Sequence, residues 1–159
     1  MAENNQIEKV GTHLEMTWQQ LKTNFPPSLP HYKELERKTI QKFVELQILP
    51  GKYTFDFRLP YELSQKELQT TPQEQRMFKY LKSMRIDVVV ETPKEIWIIE
   101  VAKSLQLSYT GKILGYTDLY KEIYKPTLPV RMAVVATEDK PQARRALEHM
   151  NVKIWMVTI

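Results

Sequence analysis

Two apolar segments separated by a short turn constrain this chain more than any other feature of it. Residues 85–91 read RIDVVVE and residues 96–103 read IWIIEVAK, with Thr92-Pro93-Lys94-Glu95 between them. β-Branched residues at that density, on either side of a proline-bearing turn, predict a hairpin of two buried strands. Strands that are apolar on both faces belong at the centre of a sheet with helices on each side.

The rest of the chain supplies those helices. Ile7, Val10, Leu14, Trp18 and Leu21 recur at three-to-four spacing, which predicts an amphipathic helix over 5–24. Phe25-Pro26-Pro27-Ser28-Leu29-Pro30 ends it, because prolines cannot continue a helix. Residues 1–31 are therefore expected to form an N-terminal helical arm and proline-rich linker. That arm would dock on the remainder of the chain, on a second copy in a homo-oligomer, or on a protein partner. Residues 32–159 are expected to form one domain. Its elements are a helix over 32–46, a half-buried strand over 53–59, helical structure over 62–83 broken near Pro72, the hairpin, a helix over 110–124, a strand over 129–137, a charged helix over 139–149 and a strand over 152–158. The expected fold class is α/β, a three-layer core with a central mixed sheet flanked by helices.

Composition narrows the function. The 159 residues carry 23 Lys plus Arg against 19 Asp plus Glu, a net charge of +4 that permits a polyanionic partner without demanding one. The absence of Cys excludes disulfides and thiolate zinc sites. No run approaches the ~18 apolar residues of a membrane span, and the first residues are too polar for a secretory signal. A soluble, cytoplasmic protein is expected. With only 4 Gly, a glycine-rich phosphate loop is not expected either.

The hairpin also carries the candidate chemistry. If Pro93 and Lys94 are the central turn residues, Glu91 pairs with Ile96, and Asp87 falls directly opposite Glu100. Opposed residues share a face, with β-carbons roughly 5 Å apart. Two carboxylates that close, among Ile86, Val88, Ile98 and Ile99, repel one another unless a cation neutralises them. Mg²⁺ or Mn²⁺, which favour oxygen ligands, would do so, making Asp87 and Glu100 candidate metal ligands. The bland alternative is a solvated edge at which the acids pair with Arg85 and Lys103.

Asp87, a hairpin, Glu100-Val101-Ala102-Lys103 and a following helix resemble the PD-(D/E)XK nuclease superfamily. The matching order covers residues 32–158. The resemblance implies a restriction-endonuclease-like fold, a DNA partner and Mg²⁺-dependent phosphodiester hydrolysis, in a phage or mobile-element setting. It also implies that Lys103 orients or activates water. RecB-like branches carry Gln-x-x-x-Tyr on the next helix, where this chain has Lys112 and Tyr116, four apart on one face and able to reach a DNA phosphate. The superfamily often adds an acid on the helix before the sheet. Tyr32, Glu36, Ile40, Phe43 and Gln47 fall within an arc of about 80°, so Glu36 faces the sheet and Glu34 points away. His31 is a weaker candidate, at the helix entry.

One spacing departs from the superfamily. Its Glu-x-Lys puts both side chains on one face of a strand, whereas Glu100-x-x-Lys103 puts them on opposite faces. A β-bulge at Val101-Ala102 would realign Lys103. Otherwise Lys112 or Arg85 supplies the positive charge, or the scaffold persists without catalysis. The function expected is a metal-dependent deoxyribonuclease. The alternative is a catalytically inactive relative that acts in DNA binding or assembly.

Overall fold

In a computed structural model the chain is described over residues 14–159. Six strands form one sheet in the order β1 to β6: β1 Leu14–Thr17, β2 Lys52–Arg58, β3 Arg85–Glu91, β4 Ile96–Ser104, β5 Val130–Glu138 and β6 Val152–Met156. Strands β1 to β4 run antiparallel to their neighbours, and β4, β5 and β6 are parallel. The described residues also form helices α1 Trp18–Thr23, α2 Glu34–Glu45, α3 Pro72–Lys82, α4 Ser108–Tyr124 and α5 Pro141–His149. The fold is thus mixed α/β, with α4 and α5 serving as the crossovers that parallel strands require.

Two cores lie on the two faces of the sheet. On one, Leu21 of α1 and Ile40, Phe43 and Val44 of α2 pack against Tyr53, Phe55, Val88, Val90, Ile99 and Val101. On the other, Ile113 and Tyr120 of α4 and Ala143 and Leu147 of α5 pack against Ile86, Val89, Ile98, Ala102 and Val134. Covering both faces removes the polar side from β2. Thr54, Asp56 and Arg58 are all buried, so the strand expected to be half-buried is buried on both faces.

The N-terminal expectation needs correction within the described residues. Leu14–Thr17 is not helical but pairs antiparallel with β2, and the helix begins only at Trp18. Thr17 caps it, accepting from the Gln20 N–H while the Gln20 side chain accepts from the Thr17 N–H. A Thr at a cap position outweighs the three-to-four spacing that ran through it. Ile7 and Val10 lie outside the described residues. Pro72 likewise starts a helix rather than breaking one. It occupies the first turn of α3 behind the Thr71 cap, and only a 3-10 turn at Glu67–Gln69 precedes it.

The hairpin register follows from its turn. Thr92 N–H donates to the Glu95 carbonyl at 2.9 Å, and Glu91 pairs with Ile96, Val90 with Trp97, Val89 with Ile98 and Val88 with Ile99.

Candidate functional site

One residue pair beyond Val88 and Ile99 the hairpin opens. The backbone groups of Asp87 and Val101 then need other partners, since a buried amide or carbonyl left unpaired is costly. The Asp87 carboxylate accepts the Val101 N–H at 2.9 Å, and the Asp87 carbonyl accepts the Tyr32 hydroxyl at 2.7 Å. The side chain of Asp87 is thereby fixed by β4, and its main chain by the segment leading into α2.

Strand β2 contributes to the same opening. Phe55 pairs with Val88 and Phe57 with Ile86, leaving Asp56 beside Asp87 without a ladder pair between them. Asp56 has φ 51, the left-handed region that Asp tolerates better than most residues. The residue also marks an exchange of faces. Tyr53 and Phe55 belong to the α2-side core, whereas Phe57 and Leu59, of the same parity, belong to the α4-side core. The Asp56 carboxylate stands 3.6 Å from the Arg58 Nε, 3.8 Å from Arg85 and 3.5 Å from the His31 imidazole. His31 is itself left-handed, with φ 62. Its Nε2 lies 3.1 Å from the Arg58 guanidinium.

Asp87 and Glu100 meet inside this frame, close enough for each carboxyl group to act on the other. Glu100 is 1% exposed, and its Oε1 has no hydrogen-bond partner. Burial raises the Glu100 pKa well above the usual carboxylate range, and the Asp87 charge raises it further. Burial also raises Asp87, against the lowering effect of the Val101 N–H. Opposing charge comes from Lys112 on α4, whose ammonium is 3.4 Å from the Glu100 Oε2. Burial draws the Lys112 pKa down, but Glu100 and its other anionic neighbours outweigh that and the net shift is upward. The rings of Tyr109 and Tyr116 flank this ammonium, with centroids 5.9 and 5.8 Å away.

The structure therefore brings Asp87, Glu100, Lys112, Tyr116 and Arg85 to one place. A polar cavity of about 280 Å³ is lined by His31, Tyr32, Asp56, Arg85, Asp87, Lys112 and Tyr116, among others. Glu36 stands at its margin. Its carboxylate accepts the Lys33 N–H at 3.2 Å, and its charge acts on Tyr32, Asp87 and Tyr109. Lys103 is not brought there. Strand β4 keeps unbroken parallel register with β5 from Ile96 to Ala102, so no bulge realigns it. Its ammonium is exposed, 3.8 Å from Glu138. Ala102 takes the place on the Glu100 face and packs in the α4-side core.

Sequence reasoning missed Asp56 and Tyr109. Tyr109, Lys112 and Tyr116 share a helical face at three and four residue steps, a signal present in the sequence. For Asp56 the signal was weaker, a lone acid between aromatics on a strand. Compared with known families, with curated proteins and with solved structures, the chain finds no match.

Proposed function

We propose that this protein is a metal-dependent phosphodiester hydrolase acting on DNA, built on the PD-(D/E)XK plan. The observation that carries the proposal is the buried Asp87–Glu100 pair, in which one oxygen is left without a partner and burial and the Asp87 charge both raise the proton affinity of Glu100. Such a pair is an anionic hole that a divalent cation fills. Among the described residues no group of three or more His, Asp or Glu forms a cage for a metal. Two carboxylates nevertheless fit Mg²⁺ or Mn²⁺, since Mg²⁺ commonly takes one or two protein carboxylates and completes its shell with waters and substrate phosphate. When bound, the ion supplies Lewis-acid polarisation of the phosphate and a low-pKa water.

The chain's own residues do the rest. Asp87 and Glu100 hold the cation. Lys112, 3.4 Å from Glu100, would meet the charge developing on the phosphate oxygens. Lys112 thus does from the helix what the superfamily lysine does from the strand. Arg85 and Tyr116 line the cavity at positions suited to the flanking phosphate, and Glu36 adds a third negative charge at the margin. Ile86, Ile98 and Ile113, buried in the α4-side core, keep the local dielectric low, which strengthens each of these interactions.

Supercoiled plasmid and labelled oligonucleotides, incubated with Mg²⁺ or Mn²⁺, test the proposal. Cleavage is expected, and it is expected to disappear in Asp87→Ala and in Glu100→Ala. Metal-dependent cleavage that survives both substitutions would overturn the assignment. A second function is favoured by the outward placement of Lys103, a DNA-binding or assembly protein on the same scaffold. It predicts salt-dependent DNA binding with no cleavage under any divalent metal.

A further inference from the structure

The segment between β2 and β3 does something unusual for a soluble protein. Helix α3 buries none of its residues, and at its C-terminal end Leu81 is 68% exposed and Met84 52% exposed. Such a helix is normally free to move, yet this one is tied at several points. Arg58 donates to the Tyr80 carbonyl at 2.7 Å and lies 4.0 Å from the Tyr80 ring centroid. Glu67 accepts the Tyr61 hydroxyl at 2.8 Å and the Lys82 ammonium at 2.9 Å. The apolar groups are therefore held in place in front of solvent.

Their location gives them meaning. Leu81 and Met84 line the same cavity as Asp87 and Lys112. Met84 also lines a second, larger cavity of about 660 Å³, which is floored by Pro60, Tyr61, Leu119 and Ile123. The two cavities thus share Met84, one holding Asp87 and Lys112 and the other forming an apolar channel between α4 and the segment after β2. Glu62, Glu122 and Lys82, the last paired with Glu67, also line that channel. The neutral faces of nucleobases suit the apolar floor, and their exocyclic amines suit carboxylate acceptors.

We infer that the strand entering the Asp87–Glu100 pocket is unpaired, and that the base beside the reacting phosphate lies on Leu81 and Met84 with its neighbour in the channel over Tyr61, Leu119 and Ile123. This rests on the hydrolase proposal and narrows its substrate to single-stranded or forked nucleic acid. In a continuous duplex the base faces are stacked and cannot reach an apolar floor. Leu81 and Met84 stand where apolar wedges that part a base step would stand.

Fluorescence anisotropy in Ca²⁺ tests the inference with four labelled probes of equal length: a single strand of mixed sequence, its blunt duplex, a fork, and an abasic strand. The single strand and the fork are expected to bind about ten-fold more tightly than the blunt duplex and the abasic strand. Leu81→Ser and Met84→Gln, both at exposed positions, are expected to remove that advantage while leaving abasic-strand affinity unchanged. Equal affinity for duplex and single strand would overturn the inference, as would an equal loss on the abasic probe. Cleavage assays on the same probes separate the two proposals. Asp87-dependent cutting of continuous duplex as fast as single strand keeps the hydrolase and overturns the unpaired-strand substrate. Base-dependent binding without cutting supports the channel and overturns the hydrolase, and failure to bind any probe overturns both.

Discussion

The Lys112 ammonium stands 3.4 Å from the Glu100 carboxylate and reaches it from α4, while the lysine on Glu100's own strand, Lys103, faces away towards Glu138. A strand cannot present residues three apart on one face without a bulge, whereas a helix crossing the strand ends can supply the same charge from outside the sheet. The two lysines therefore make opposite predictions. Lys112→Ala is expected to reduce the cleavage rate by about 10²- to 10³-fold, the usual loss when one donor to a developing charge is removed. Lys103→Ala is expected to leave the rate within about two-fold of the original, as exposed ion pairs contribute little. Single-turnover rates on one oligonucleotide measure both, and the reverse ranking would remove Lys112 from the site.

The buried acids set the pH dependence of stability without metal. The Glu100 pKa is raised in the folded protein, so the folded state holds that proton more tightly than the unfolded chain does. Its contribution is complete below the ordinary glutamate pKa of about 4.3 and is lost as pH climbs through the raised value. In EDTA, the Tm is expected to fall as pH rises above the ordinary glutamate range. Glu100→Gln, which leaves no charge to bury, is expected to flatten the profile. At neutral pH it should raise Tm by about 2–4 °C, the shift that roughly 1 kcal/mol produces in a domain of this size. Mg²⁺ should flatten the wild-type profile by binding the ionised pair in the folded state alone. A metal-free Tm that does not change with pH would show that Glu100 carries no such penalty.

The strands were legible because their pattern is local. Val88, Val89, Val90, Ile98 and Ile99 announce a buried hairpin, and the turn residues Pro93 and Lys94 set a register that the ladder keeps as far as Val88 and Ile99. Helix α4 follows from the stripe of Ile113, Thr117, Tyr120 and Tyr124. What was not legible depends on long-range packing. Leu14 and Met16 have helical spacing with Trp18 and Leu21, and only the edge of β2, distant in sequence, makes them a strand. Asp56 looked like the polar face of a half-buried strand because nothing in its neighbourhood reveals that α4 covers the other side. The opening of the hairpin beyond Val88 depends on the Tyr32 hydroxyl, which arrives from 55 residues away. No spacing rule within 85–103 contains that partner.

Asp56 joins two kinds of cost at one residue, a left-handed backbone and a buried charge. The carboxylate offsets the second by facing Arg58 and Arg85. Both Asp56→Asn and Asp56→Ala remove that charge from beside the buried Arg58, and both are expected to destabilise by roughly 3 kcal/mol. They differ in backbone. Asn tolerates the left-handed conformation through local hydrogen bonding, whereas Ala meets the full steric penalty, so Ala is expected to cost about 1 kcal/mol more. Urea unfolding of the two variants measures the difference. Identical midpoints would mean that the β2 backbone relaxes out of the left-handed region once the carboxylate is gone.

Glu67 holds the segment between β2 and β3 in shape. Its carboxylate gathers the Tyr61 hydroxyl, the Ser64 N–H and the Lys82 ammonium, the lysine being the largest of the influences that take its pKa down to about 2. Few apolar contacts assist, since α3 buries no residue, so the polar hub at one end and Arg58 at the other do the holding. Glu67→Ala is therefore expected to speed amide hydrogen exchange across residues 61–82 by about ten-fold or more, while β3 and β4 keep their protection. If the hub acts only locally, the faster exchange will stop near Thr70. Exchange that rises throughout the sheet would instead make Glu67 part of the global fold rather than the clasp of an outlying helix.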